Sequence, residues 1–259
     1  MGLLVGVARR ERRVVGARIP VRGAAVGLLR LYSVQMFVLV VFPSMAEIFE
    51  DYLASADAAL GLLESAEVTG RWAEPSACDR FTVGGLAAHL AWQVQSARWA
   101  VESERPAPGA AVTELMAHYE QAAWVGADLE SPVNLGIRDT GEKRAEAGAA
   151  EVLRLAHEAR AYLAERFEAL SPEEVIAVPW IEGRAMTLGD VLSTRVLELL
   201  IHTDDLAVSV GVETPLAPGS AYARLFALLT PLSARRHGPI AVLRALSRAE
   251  RAPESVSAF

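Results

Sequence analysis

Glu198 and His202 stand four residues apart in Arg195-Val-Leu-Glu198-Leu-Leu-Ile-His202-Thr-Asp-Asp205-Leu. On a helix that spacing stacks the two side chains on one face. Arg195 and Asp205 extend the stripe by three residues at either end, while Val196, Leu197, Leu199, Leu200 and Ile201 make its flanks apolar. Charged groups set in such a helix need partners or a metal. A further histidine, His89, lies in Gly84-Gly-Leu-Ala-Ala-His89-Leu-Ala-Trp92, whose surroundings offer no polar partner.

Two readings are open for these residues. A Glu-x-x-x-His pair also suits an exposed, salt-bridged stripe, and a lone histidine in an apolar helix also serves as a core hydrogen-bonding group. Alternatively, His89, Glu198 and His202 ligate one divalent ion. Two imidazoles and a carboxylate leave the fourth position of a zinc ion open, the pattern of catalytic rather than closed structural sites. Nickel, iron and manganese accept similar donors.

The other chemistry-bearing residues are weaker candidates. Cys78 reads as a loop cysteine, with a catalytic thiol as the lesser alternative. His118 and His157 fall on otherwise charged helix surfaces and read as solvated. His237, in Arg235-Arg-His237, reads as an exposed face or a weak anion contact. Trp92, Trp99, Trp124 and Trp180 read as core or pocket wall. Gly84-Gly85 lacks the Gly-x-x-x-x-Gly-Lys pattern of a phosphate loop.

Helices must position these groups. Apolar periodicity predicts long helices over about 45–66, from the N-cap Thr82 to about Glu102, over 145–169, and from the N-cap Thr187 to about Val210. A shorter helix is expected over 112–125, then a loop containing Pro132 and Gly136. Val175–Met186 reads as a short hairpin turning at Glu182-Gly183. Two further helices, about 220–235 and 238–247, complete the pattern. The fold class expected is all-α, a four-helix bundle with accessory C-terminal helices.

Composition agrees with a globular, mainly helical protein: 259 residues, 52% hydrophobic and 22% charged. A net charge of −7 argues against general nucleic-acid binding, which needs clustered Lys and Arg. Residues 1–44 carry seven Arg against the single acid Glu11, a net of +6 that leaves −13 for the remainder. This stretch is expected to be a basic extension, with translation starting at Met36 or Met45. The apolar run Met36–Phe42 is too short to span a bilayer. Residues 45–247 then form the bundle and 248–259 a polar tail. The single cysteine excludes an intramolecular disulfide and a cysteine-based zinc cluster, and favours a reducing cytoplasm.

The pattern Trp72 … Ser76-Ala-Cys78 … Phe81-Thr-Val-Gly-Gly-Leu-Ala-Ala-His89-Leu, followed by Arg195-x-x-Glu198-x-x-x-His202-x-x-Asp205-Leu, resembles the mycothiol-dependent maleylpyruvate isomerase family. That family belongs to the DinB-like metal-binding bundles, and the resemblance covers roughly 45–247. It implies zinc on His89, Glu198 and His202, with mycothiol as a low-molecular-weight thiol cofactor and an electrophilic small molecule as substrate. The isomerase proper carries a sizeable further domain, whereas about fifty residues follow the bundle's last long helix here. The resemblance therefore carries the metal and the thiol further than it carries the substrate.

The function expected is a metal-dependent thiol transferase or isomerase, a monomer or homodimer without nucleic-acid or membrane partners. Asp205 is expected to orient His202 or to pair with Arg195. Arg195 is alternatively expected to hold a substrate or cofactor carboxylate. A non-catalytic metal-binding bundle and a metal-assisted hydrolase, with Asp204 or Asp205 as base, are the rival classes.

Overall fold

The computed structural model describes residues 45–259, and the reading of residues 1–44 as a basic extension lies outside them. A 3₁₀ turn, Met45–Glu47, leads into helix α1, Ile48–Leu63, followed by the short α2, Ala66–Thr69. Then come α3, Val83–Glu102, α4, Leu115–Glu120, α5, Pro132–Ala145, and α6, Ala149–Phe167. Strands β1, Val175–Ala177, and β2, Ala185–Thr187, precede α7, Leu188–Val210, α8, Gly219–His237, and α9, Pro239–Ser247. The fold is all-α apart from that two-stranded hairpin.

Four long amphipathic helices form the bundle. α1 and α3 each pack against both α6 and α7, so that the apolar faces meet in one core. Ile48, Tyr52, Leu86, Leu90, Leu163 and Leu192 are fully buried there. Interiors of this density leave little room to relax. Leu163→Ala should therefore lower the free energy of unfolding by about 2–5 kcal/mol, read from the denaturant midpoint at unchanged slope.

Local chemistry starts and stops these helices. Thr82 Oγ1 accepts the Gly85 amide at 2.9 Å, and Thr187 Oγ1 accepts the Asp190 amide at 3.1 Å. Such caps satisfy amides that the first turn leaves unpaired. Glu142 of α5 reinforces the start of α3 by accepting from the Thr82 amide, 2.7 Å, and from Thr82 Oγ1, 2.9 Å. Gly84 permits a close approach: a Cβ there would lie 2.5 Å from Trp72 Nε1, which donates to the Ala145 carbonyl. The Gly84-Gly85 pair is thus a packing device. α7 ends at Gly211 in the left-handed conformation, φ 72°.

Two segments differ from the reading of the sequence. The loop expected around Pro132 and Gly136 is helix α5, because proline is well placed in the first turn and Ser131 caps it through the Asn134 amide, at 3.4 Å. The helix expected over 145–169 forms as α6 but starts only at Ala149, since Gly148 at φ 80° separates it from α5. The hairpin turns near Gly183, φ 71°, and pairs Val175 with Thr187 and Ala177 with Ala185.

α8 is fastened to α1 by a buried cluster in which Asp51 accepts from Arg224 Nη2, 3.1 Å, and from Ser220 Oγ, 2.5 Å. No helix among the described residues is long and apolar enough to cross a membrane.

Candidate metal centre

α3 carries His89 and α7 carries Glu198 and His202, and the packing of those two helices brings all three together. Glu198 Oε2 lies 3.5 Å from His89 Nε2 and 3.3 Å from His202 Nε2. The two imidazole rings stand perpendicular, their centroids 4.8 Å apart. One donor atom from each residue lies within 4.8 Å of the other two.

These separations test whether a metal fits. A direct charge-assisted hydrogen bond would draw the atoms to about 2.7–2.9 Å. Ligand atoms on a tetrahedral zinc ion, each about 2.0–2.1 Å from it, are spaced by roughly 3.3 Å. The observed 3.3 and 3.5 Å match the second spacing better than the first. The donor set of two imidazoles and one carboxylate suits zinc and its neighbours, and all three side chains are largely shielded from solvent.

The electrostatics favour one positive charge at this point. Burial alone would raise the Glu198 carboxyl, but the adjacent His202 and His89 rings and the charge of Arg195 hold it well below the usual carboxylate range. Burial opposes the charging of His202, yet contacts with Asp205, Cys78 and Glu198 raise it well above an ordinary histidine. His89 is pushed down, chiefly by burial. Without a metal the cluster therefore holds a proton on His202, and a divalent ion would displace it.

The surrounding residues orient these donors. His202 Nδ1 lies 2.8 Å from Asp205 Oδ2, which leaves Nε2 facing Glu198. Gln93, one turn after His89, donates to the His89 carbonyl at 2.9 Å and accepts from Arg195 Nη1 at 2.5 Å. The Arg195 guanidinium also lies over the Trp180 ring, 5.0 Å from its centroid. Arg195 thus takes Gln93 while Asp205 takes His202, and the alternative pairing of Asp205 with Arg195 is not formed. Asp204 is exposed and accepts from Thr214 Oγ1 at 2.6 Å, which turns it from the cluster.

Cys78 is closer to the centre than a loop position suggests. Its loop is pinned to α7 by the Ala77 amide, which donates to Ser209 Oγ at 2.8 Å. The thiol shares a cluster with His202 and Asp205 in which the donor atoms again lie within 4.8 Å of one another.

The three donors open onto a cavity of about 840 Å³. Trp92, Trp124 and Trp180 line it, whereas Trp99 is partly exposed and lies between Trp92 and Trp180 with its ring tilted to both. His118 corrects the sequence reading: it is buried, not solvated, because α4 turns it into the cavity wall. Its Nδ1 lies 3.1 Å from Arg184 Nη1, and burial with the nearby guanidinium pushes its pKa down to about 4, so it is neutral at pH 7. His157 is exposed and lies 2.6 Å from Glu64. His237 lies on an exposed face, as expected, where it contacts the Ser257 carbonyl at 2.8 Å.

Gln93, Tyr119, Arg184 and Phe259 also line the cavity, and the last three carried no signal in the sequence. Phe259 comes from the segment read as a polar tail, and it packs against Trp124 with ring centroids 4.9 Å apart. Gln93 alone had a legible position, one helical turn from His89 and on the same face.

A family model described as the mycothiol maleylpyruvate isomerase N-terminal domain matches residues 52–207, more than half of the chain. The chain belongs to that family. The matched span holds all three donors of the cluster together with Arg195 and Asp205, and it ends before α8. Membership of the mycothiol maleylpyruvate isomerase family makes this a mycothiol-related, DinB-like metal-binding protein. Neither a curated protein nor a solved structure matches the chain.

Proposed function

We propose that this protein is a zinc-dependent thiol transferase or isomerase that uses mycothiol and acts on an electrophilic small molecule. The observation that carries the reading is the convergence of His89, Glu198 and His202 on one point of a large, part-aromatic cavity. A closed structural site would bury all its donors away from such a space.

In this reading His89, Glu198 and His202 hold the ion. When bound, a divalent ion lowers the pKa of a thiol that reaches it, making the sulfur nucleophilic at neutral pH. Asp205 keeps the Nδ1 proton of His202 and so directs Nε2 inward. Gln93 and Trp180 hold the Arg195 guanidinium at the cavity wall, where it can bind a carboxylate or carbonyl oxygen of the electrophile. Addition forms one S–C bond and opens one C=C bond, with the electron pair moving onto the oxygen that Arg195 faces. Proton uptake at carbon completes S-transfer. Alternatively, rotation about the new single bond, followed by loss of the thiolate, gives the isomer. A reducing cytoplasm, where thiols persist, suits this chemistry.

The test is calorimetric titration of zinc-loaded protein with mycothiol, repeated after chelation. Saturable binding that disappears with the metal is expected. Stoichiometric zinc with no thiol binding would count against the proposal.

A further inference from the structure

Arg184 lines the cavity with its charge uncompensated. Its Nη1 lies 3.1 Å from His118 Nδ1 and its Nη2 donates to Gln121 Oε1 at 2.8 Å. Both partners are neutral, and among the described residues Arg184 makes no ion pair. Of the acids that line the cavity, Glu198 belongs to the donor cluster and Asp79 is exposed. A half-buried cation without a counter-charge is costly unless a ligand supplies one.

The same contact fixes the proton of His118. A guanidinium donates and never accepts, so Nδ1 takes the bond and the neutral ring carries its hydrogen on Nε2. His118 is only 7% exposed, yet no hydrogen bond to Nε2 exists among the described residues. Nor is that nitrogen sealed off, since the Tyr119 hydroxyl is the one fully enclosed side-chain polar atom there without a partner. The Nε2–H group is therefore a donor at the cavity wall, beside the unused N–H groups of Arg184.

Both donors sit on fixed supports. The Arg184 amide donates to the Ile181 carbonyl at 3.2 Å, and its own carbonyl accepts from the Val178 amide at 2.9 Å. The turn so closed also carries Trp180, over which the Arg195 guanidinium lies. Helix α4 bears His118 and packs against α7, which bears Arg195 and two donors of the metal cluster.

We propose that Arg184 and His118 form an oxyanion subsite, in which the guanidinium and the His118 Nε2–H donate to a carboxylate group of the small molecule that enters the cavity. The planar fork of an arginine suits both oxygens of such a group. The inference rests on the small-molecule chemistry proposed above and adds two specificity-determining residues to it. The carboxylate belongs to the electrophile or to the thiol, and separate titrations distinguish these.

Arg184→Gln removes the charge, and His118→Phe removes Nε2–H while keeping a buried ring. Zinc-loaded wild-type and variant proteins are titrated with maleylpyruvate and, separately, with mycothiol, each at low and high salt. Affinity for one of the two should fall about 10- to 100-fold in each variant, the worth of a hydrogen bond to a charged group. A loss for maleylpyruvate places the carboxylate on the electrophile, and a loss for mycothiol places it on the thiol. Added salt should weaken wild-type binding more steeply than that of Arg184→Gln, because the variant lacks the screened charge. Zinc content should stay unchanged.

If His118→Phe fails to fold, Arg184→Gln decides alone. Unchanged affinity for both molecules in Arg184→Gln overturns the inference. So does weakened binding whose salt response equals that of the wild type, which would mean a merely structural role. Wild-type protein that binds maleylpyruvate but no mycothiol overturns the thiol chemistry proposed above while the subsite is still tested by its own variants. Wild-type protein that binds neither overturns both.

Discussion

Replacing His89 with alanine should leave the protein with less than about a tenth of the zinc that the wild type retains after the same dialysis. The expectation follows from how the donors are divided. α7 supplies Glu198 and His202 one turn apart, whereas His89 is the donor that α3 contributes across the helix interface. Without it, two ligands on one helix face remain, too few to hold a tetrahedral ion firmly. Losing a group that merely supports a ligand costs about 10–100-fold in metal affinity. Losing a ligand should cost at least the upper end of that range. The substitution is mild for the fold, since alanine is the best helix former and His89 sits among Leu86, Ala87, Ala88 and Leu90. Metal analysis of the purified variant, beside circular dichroism showing an intact helical signal, decides the matter. A His89→Ala protein that keeps one equivalent of zinc would falsify the assignment of His89 as a ligand.

Asp205→Asn should weaken zinc binding by about 10–100-fold while leaving all three donors in place. The carboxylate fixes the His202 Nδ1 proton from 2.8 Å, so that Nε2 presents its lone pair toward Glu198. Asparagine has nearly the same shape but no charge, and its amide can turn its NH₂ group toward the ring. The pH dependence carries the sign of the effect. Among the contacts that raise His202 above an ordinary histidine, Asp205 is the largest, so the variant's His202 releases its proton at lower pH than the wild type's. Zinc must displace that proton, and wild-type affinity therefore falls sooner as the solution is acidified. The gap between the two proteins should be widest at high pH and should narrow as pH drops. Competition titrations against a chromophoric chelator across pH 6–9 would follow this (roughly the range around an ordinary histidine's titration). A gap that widens on acidification would show that Asp205 does not act through His202.

Much of the helical framework was legible because its signals are local. Thr82 and Thr187 mark their helix starts through contacts three residues long, and Gly211 ends α7 by its own backbone freedom. Helix α5 escaped detection because Pro132 and Gly136 suggest a break, while the Ser131 cap and the packing of Gly141 against Phe81 favour a helix. The hairpin was visible in its Glu182-Gly183 turn, which requires the positive φ that Gly183 adopts.

For the candidate metal centre, the sequence determined the α7 half. Glu198, His202 and Asp205 lie within two helical turns, so the 3.6-residue period alone places them on one face. That His89 joins them is a contact across more than a hundred residues, which no periodicity encodes and which the packing of α3 on α7 decides. The choice of Asp205 by His202 and of Gln93 by Arg195 likewise depends on distances between helices. The far wall of the cavity was least legible. α4 is six residues long, too short for an amphipathic pattern, and the burial of His118 and Tyr119 is set by neighbours remote in sequence. Local spacing brought the first two donors to one face, and only long-range packing gave them a third donor and a cavity.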